Sequence, residues 1–238
     1  MNLRLSRKPI LSLTAALTLL SASVAAADEC PISSQRFKPD PEATSFFLPR
    51  RCTWATTGRN PFLILEPGYQ IVLESDEELV KITVLDETRE VNGVETRVVE
   101  ELEFEKDGNE TRVVERSLNF YAICRQTNSV FYFGEDVEDF DEDGNVVSRE
   151  GEWRAGENGA RPGIVMPGTA LVGGKYYEEI APEDSALDKA EIVAIRPRCE
   201  AGDVEFRRHC LVTEGTSDCD PDEDGGRHHP RKNGLQPA

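Results

Sequence analysis

The residues whose types and spacing best fit a chemical role form one acidic loop, which runs from Asp139 to Glu150. The segment follows the pattern D-x-D-x-D-G-x5-E, in which acids alternate before a turn-forming glycine. Calcium prefers six to eight hard oxygen ligands, and such a loop can wrap its oxygens around one ion. The pattern indicates calcium as the candidate cofactor. Its predicted ligands are Asp139, Asp141, Asp143, the backbone carbonyl of Asn145, and Glu150 with two oxygens.

The same loop has a second interpretation, as the tip of a β-hairpin. An EF-hand has a helix on each side of its loop, but VFYFGEDV before this segment and the glycine-rich stretch after it are not helical patterns. The dipeptide Asp143-Gly144 is a strong hairpin signal. A two-residue turn there would pair Phe140 with Val147 and Glu138 with Arg149, both favourable pairs. Calcium binding would then be an addition to a hairpin.

Other arrangements of reactive residues are weaker. His209 and Cys210 are neighbours in the chain and would point to opposite faces of a strand, so they cannot form a nucleophile–base pair. No G-x-S-x-G, P-loop or H-E-x-x-H motif is present, so only generic carboxylates support a hydrolase. Trp153, Arg154 and Arg161 could line the mouth of a pocket, although such residues more often cover the edge of a sheet.

The overall charge narrows the range of partners. The chain has 238 residues and a formal net charge of −18, from 45 acidic and 27 basic side chains. Nucleic acids and anionic membrane surfaces require basic surfaces, so neither is an expected partner. A cationic partner or a metal ion remains compatible with this charge.

The N-terminal segment has the composition of a signal peptide. A basic start with Arg4, Arg7 and Lys8 precedes the apolar run Leu11–Leu20, and small residues follow up to Ala27. This predicts cleavage after Ala26 or Ala27 and export to the periplasm or the extracellular space. No later apolar run reaches the length of a membrane span.

Export favours disulfide bonds among the six cysteines, for which fifteen pairings exist. Cys30 and Cys52 bracket a proline-rich segment and are the first predicted pair. Cys199 and Cys210 could join neighbouring strands. Cys124 ends an apolar strand, so a buried free thiol is an equally weighted alternative there.

The central part of the chain alternates like a series of β-strands. Asn92-Gly93, Asp107-Gly108 and Asp143-Gly144 are hairpin signals, with another turn at Gln126–Asn128. These features predict an all-β fold, an antiparallel meander of long hairpins curled into a barrel-like or half-barrel shape similar to a lipocalin. The expected organisation is a signal peptide over 1–27, an irregular leader over 28–59, a β domain over 60–212 and a disordered tail over 213–238.

The turn at Asn92-Gly93 raises a question of register. A two-residue loop there sets Val84, on an apolar face, opposite Glu101, on a charged face. A slip of one residue would separate the two faces, so we expect a bulge near this turn and a positive φ at Gly93.

Several phrases together resemble a family of exported bacterial β-rich proteins of uncharacterised function. They include LDETREVNGVETRVVEE over 85–101, NFYAICRQTNSVFYFGEDVEDF over 119–140 and EGEWRAGENGARPGIVMPG over 150–168. The likeness covers about residues 60–197, and its signature is FGED…EGxWxAGxxGAxPGIxMPG. The resemblance implies a β-rich fold and export, and it supplies no catalytic residues. The tail after Thr213 departs from the family, in which a further strand is expected.

These observations favour a non-catalytic exported module that binds a small ligand or a cell-surface component. A calcium-binding structural or adhesive protein that uses the Asp139–Glu150 loop is the first alternative. An unrecognised hydrolase is the second.

Overall fold

The computed structural model describes residues 30, 32–38, 40, 43, 51–108, 110–196, 198–201, 204–206 and 210–219, and the backbone of 236–237. The predicted signal peptide and most of the predicted tail lie outside these residues. The described chain is all-β, as predicted, and its one described helix is a single 3₁₀ turn at Pro182–Asp184. No helix in the described residues has the length and apolar character needed to cross a membrane.

The strands follow one another closely along the chain. In order they are β1 (Trp54–Ala55), β2 (Gly58–Arg59), β3 (Ile64–Leu65), β4 (Gln70–Glu74), β5 (Glu78–Val91), β6 (Val94–Asp107), β7 (Glu110–Cys124), β8 (Val130–Phe140), β9 (Val146–Ser148), β10 (Trp153–Arg154), β11 (Arg161–Met166), β12 (Lys175–Tyr177), β13 (Glu179–Ile180), β14 (Asp188–Arg196), β15 (Cys199–Ala201), β16 (Val204–Phe206), β17 (Cys210–Ser217) and β18 (Gln236–Pro237).

Two sheets organise the molecule. The larger sheet has the order β13-β11-β8-β7-β6-β5-β4, so β4 to β8 form the predicted antiparallel meander, which curls into a half-barrel. The second sheet has the order β12-β14-β17-β18. Buried side chains from both sheets, such as Val84 and Ile192, belong to one hydrophobic core. The second sheet therefore packs against the concave side of the first.

The β5–β6 turn confirms part of the prediction and corrects the rest. Asn92 and Gly93 have φ values of 50° and 74°, as a type I′ hairpin requires. A bulge is present in β5, but the register shifts by two residues rather than one. Val84 therefore faces Val99, and Ile82 faces Glu101. A two-residue shift preserves the alternation of faces, so apolar and acidic side chains share one face of the sheet.

The buried side chain of Arg97 stabilises this bulge. Its guanidinium donates hydrogen bonds to the carbonyl oxygens of Leu85 and Glu87, at 3.3 and 3.2 Å, and to that of Thr56 at 3.0 Å. Carbonyls that leave the β-ladder need other donors when they are buried. Arg97 supplies those donors.

A second bulge, in β8, determines which side chains face inward. Asn119 pairs with Glu135, whereas Tyr121 pairs with Tyr132, so β8 contains one extra residue over this interval. Gly134 lies in the bulge with φ of 131°. The extra residue places Tyr132 and Glu135 on the same face, although they are three positions apart.

The end of the predicted leader belongs to the fold. Trp54 in β1 lies edge-on to Phe131 and Phe133, with ring centroids 5.0 and 5.2 Å apart. Strands β1 and β2 both precede Asn60, so the irregular segment is shorter than the predicted 28–59. An aromatic side chain that covers the outer face of β8 explains why this segment is ordered.

The disulfides differ from the predicted pairs. Cys30 bonds to Cys219 and Cys52 bonds to Cys124, so the predicted Cys30–Cys52 bond is wrong and Cys124 is not a free thiol. The Cys52–Cys124 bond follows from β1 pairing with the end of β7, where Trp54 lies opposite Cys124. Cys210 is also disulfide-bonded. The side chain of Cys199 lies outside the described residues, so the predicted Cys199–Cys210 bond stays a prediction.

The predicted boundary of the tail at residue 213 is also too early. Strand β17 continues to Ser217 as a partner of β14, and Cys219 is buried in its disulfide. The polar composition of this segment did not predict a strand. Whether such a segment forms a strand depends on the neighbours against which it packs, and these come from other parts of the chain.

Candidate functional site

The concave face of the large sheet and the second sheet border a half-open cavity of about 860 Å³. Strands β4 to β8 form one wall, and residues of β12, β14 and β17 form much of the other. Pockets for small ligands usually have volumes of about 300–1,000 Å³. The cavity thus has the size of a ligand site.

The wall formed by the large sheet changes from apolar to acidic across its strands. One row of paired residues runs through Leu73, Val80, Glu103, Glu115 and Asp139. The next row runs through Ile71, Ile82, Glu101, Ser117 and Val137. All of these side chains line the cavity. Strands β4 and β5 therefore contribute an apolar wall, and β6 to β8 contribute most of the carboxylates of this sheet.

Glu101 lies at the boundary between the two regions. It is half-buried, and removal from water raises the pKa of its carboxyl from 4.5 to about 7, with further increases from the charges of Glu103 and Glu115. No hydrogen bond or ion pair joins this carboxylate to another described residue. A cation in the cavity would favour its ionised form.

Glu135 belongs to a hydrogen-bonded group in the cavity wall. The hydroxyl of Tyr132 lies 2.5 Å from Oδ1 of Asn119 and also interacts with Glu135. Burial raises the pKa of Glu135 to about 7, and the charges of Glu115 and Glu101 add to the effect, whereas the Tyr132 hydroxyl opposes it. Burial likewise raises the pKa of Tyr132 well above 10. The tyrosine is neutral and can donate a hydrogen bond.

The second sheet contributes a buried tyrosine hydroxyl. Tyr176 is only 3% exposed and lines the cavity, and no described residue forms a hydrogen bond with its hydroxyl. Burial raises the pKa of this hydroxyl far above its ordinary value. Buried hydroxyls nearly always have a partner, so an orphaned one beside a cavity indicates room for a ligand or water.

The cavity has a marked excess of negative side chains. Nine carboxylates line it, against Lys189 as its one described basic residue. The Lys189 ammonium lies 2.6 Å from Asp218 and 3.8 Å from Asp40, so its charge is already balanced. The nine acids are Glu101, Glu103, Glu115, Glu135, Asp139, Glu150, Glu178, Glu179 and Asp188. A cleft with apolar walls concentrates the electric field of the charges that line it. Because the field here is negative, the cavity favours positively charged ligands.

The predicted calcium ligands lie on a β-hairpin, as the second interpretation proposed. Strands β8 and β9 flank the loop, but its turn spans residues 141–145 and Phe140 pairs with Val146 instead of Val147. The predicted contact of Glu138 with Arg149 is present at 2.6 Å. The turn is thus longer than the predicted two residues.

The carboxylate of Asp141 already has a structural role in this turn. It accepts hydrogen bonds from the backbone amides of Asp143 and Asn145, at 3.0 and 2.8 Å, which lowers its pKa. Asp139 and Glu150 instead line the cavity. Among the described residues, no group of three or more acidic, histidine or cysteine side chains is arranged to hold a metal ion. The described structure therefore does not bring these five residues together as one ligand set, and calcium binding there stays a prediction.

The aromatic and basic residues after β9 cover other parts of the fold. Arg154 lies over the ring of Phe120, 4.5 Å from its centroid, and pairs with Asp136. Arg161 lies over Phe37. Trp153 is buried beside Tyr132. These contacts cover the sheet, and Trp153 and Arg154 also line a second pocket of about 320 Å³, so both predicted roles apply to these two residues.

Sequence reasoning missed the inward-facing acids because it expected a one-residue slip to separate the charged face of β6 from the apolar face of β5, whereas the register shifts by two residues. A signal was available in β7, where Ser117, Asn119 and Tyr121 occupy alternate positions and share one face of the strand. This face has more hydrogen-bonding groups than an apolar core would contain.

Comparisons with known proteins give no match among family models, curated proteins or solved structures.

Proposed function

We propose that this protein is an exported, non-catalytic binding module that holds a small ligand between its two sheets. The cavity of about 860 Å³ carries the proposal, because it combines an apolar wall on β4 and β5 with converging carboxylates on β6 to β8. The disulfides Cys30–Cys219 and Cys52–Cys124 support export, since such bonds persist in oxidising compartments. The resemblance to exported bacterial β-rich proteins supports the same location.

A neutral, environment-sensitive dye such as N-phenyl-1-naphthylamine tests whether the cavity binds a small apolar molecule. We expect saturable fluorescence enhancement with the full mature chain. The substitution Ser117→Trp places a large ring on a buried position of the cavity wall and should abolish that enhancement. Val147→Trp is the matched control, because Val147 is 63% exposed. Circular dichroism would establish that both variants fold.

Native mass spectrometry provides a second test. Protein purified from the export compartment should retain a ligand that Ser117→Trp does not retain. The same spectra should show removal of the first 26 or 27 residues. A dye that binds wild type and both variants equally would refute the proposed site.

A further inference from the structure

We propose that the cavity selects a small organic cation that carries an apolar tail. This inference rests on the proposed ligand-binding function and names the chemical class of the ligand. The cationic group would lie beside Glu101, and the tail would follow the apolar wall of β4 and β5.

The register of the large sheet supports this class directly. Ile82 and Glu101 are cross-strand partners, and so are Val80 and Glu103. Directly opposed residues have Cα atoms about 4.5–5.5 Å apart, so the apolar and acidic regions are contiguous. Strands lie about 4.8 Å apart, and the five strands from β4 to β8 therefore span about 19 Å. One small amphipathic molecule can contact both regions.

The electrostatics select the sign of the head group. Nine carboxylates line the cavity, and its one described basic side chain is paired with Asp40 and Asp218. The proposal requires only Glu101 to be available, and no described residue forms a hydrogen bond or ion pair with it. An anionic head group would meet repulsion at every one of these positions. A neutral head group would leave the Glu101 carboxylate without a compensating charge.

Tyr176 supplies independent support from the opposite wall. Its hydroxyl is buried, lines the cavity and has no hydrogen-bond partner in the described part of the chain. A tyrosine hydroxyl can accept a hydrogen bond from an ammonium N–H. Because burial keeps this hydroxyl neutral, it complements a cation that Glu101 neutralises.

Open space also exists for the tail. Tyr69 and Leu73 line the cavity and are 36% and 39% exposed, on the edge strand β4 or next to it. The cavity is thus reached along an apolar edge, where a tail can remain partly outside.

Three ten-carbon probes with different head groups test the proposal: decylammonium, 1-decanol and decanoate. Isothermal titration at pH 8 and low salt, below the micelle concentration, should show decylammonium binding at least tenfold more tightly than decanol. Decanoate should not bind. Glu101→Gln should weaken decylammonium about tenfold and leave decanol unchanged, because one charge–charge contact is lost. Tyr176→Phe should weaken decylammonium by a smaller factor.

The control variant is Glu90→Gln, which removes an exposed carboxylate outside the cavity and should leave all affinities unchanged. Glutamine has the shape of glutamate, and the loss of a poorly solvated charge should not prevent folding. If decanol binds as tightly as decylammonium and is insensitive to Glu101→Gln, the cation proposal is overturned while the binding function stands. If neither these probes nor the neutral dye binds, both are overturned. Calcium chloride that alone gives a Glu101-dependent heat and displaces decylammonium would also overturn the organic cation.

Discussion

Glu103 on β6 and Glu115 on β7 lie directly opposite each other, and both line the cavity between the two sheets. Like charges at directly opposed positions destabilise an antiparallel pair. Both carboxylates also raise the pKa of Glu101. Residues at functional sites often violate the local rules of stability. The opposed pair Glu103 and Glu115 violates the rule that like charges should not face each other.

The first prediction concerns pH. Glu101 has a folded pKa of about 7 against 4.5 in the unfolded chain, so between these values the folded state binds more protons. The free energy of unfolding should therefore fall as pH rises from about 4.5 to 7 and level off above that range. For a half-buried group the loss should be about 1–3 kcal/mol after allowance for solvent screening. Urea unfolding of wild type at pH 5 and pH 8 measures it.

The Glu101→Gln variant isolates this contribution from the other acids. Its free energy of unfolding should exceed that of wild type at pH 8 and match it at pH 5. Equal differences between the two proteins at both pH values would contradict the raised pKa.

The second prediction concerns the bulge in β8. A Cβ added at Gly134 would lie 2.2 Å from the carbonyl oxygen of Trp153, and the φ of 131° disfavours any other residue. Gly134→Ala should lower the free energy of unfolding by about 3 kcal/mol or more. Gly93→Ala is the control, because its φ is also positive but no atom of the described residues lies within 4 Å of the added Cβ. It should cost only about 1 kcal/mol. Urea unfolding would compare them, and equal losses would exclude the close contact as the cause.

The third prediction concerns the disulfides. Peptide mapping of non-reduced protein should recover Cys30 joined to Cys219 and Cys52 joined to Cys124. Removing the Cys52–Cys124 bond with two serines should destabilise the fold by about 2–5 kcal/mol. A Cys30–Cys52 peptide would contradict the fold described here.

The fourth prediction concerns calcium. If residues 139–150 bind the ion, millimolar calcium should raise the melting temperature, with about 2.7 kcal/mol of stabilisation at a hundred times Kd. The double variant Asp141→Ala, Asp143→Ala should lose this response. Scanning calorimetry measures both proteins, and an unchanged melting temperature for wild type would eliminate the site. The variant alone should also loosen the turn, because Asp141 accepts two backbone hydrogen bonds there.

The sequence by itself determined the fold class and the sequential hairpins. Alternation with period two defines the faces of a strand, and Asn-Gly and Asp-Gly dipeptides define turns, because both depend on local geometry. The hairpin at residues 139–150 was predictable for the same reason. Its turn length was not, because the backbone hydrogen bonds to Asp141 define it.

Only the tertiary structure decided which faces meet and which cysteines pair. Alternation cannot show whether the acidic face of β6 meets water or the second sheet, since that sheet comes from residues about 70 to 140 positions later. The bulge at Gly134 changes the alternation within β8, and Cys219 reaches Cys30 across 189 residues of sequence. Such contacts depend on how segments that are far apart in the sequence pack together, and local patterns contain no information about that packing.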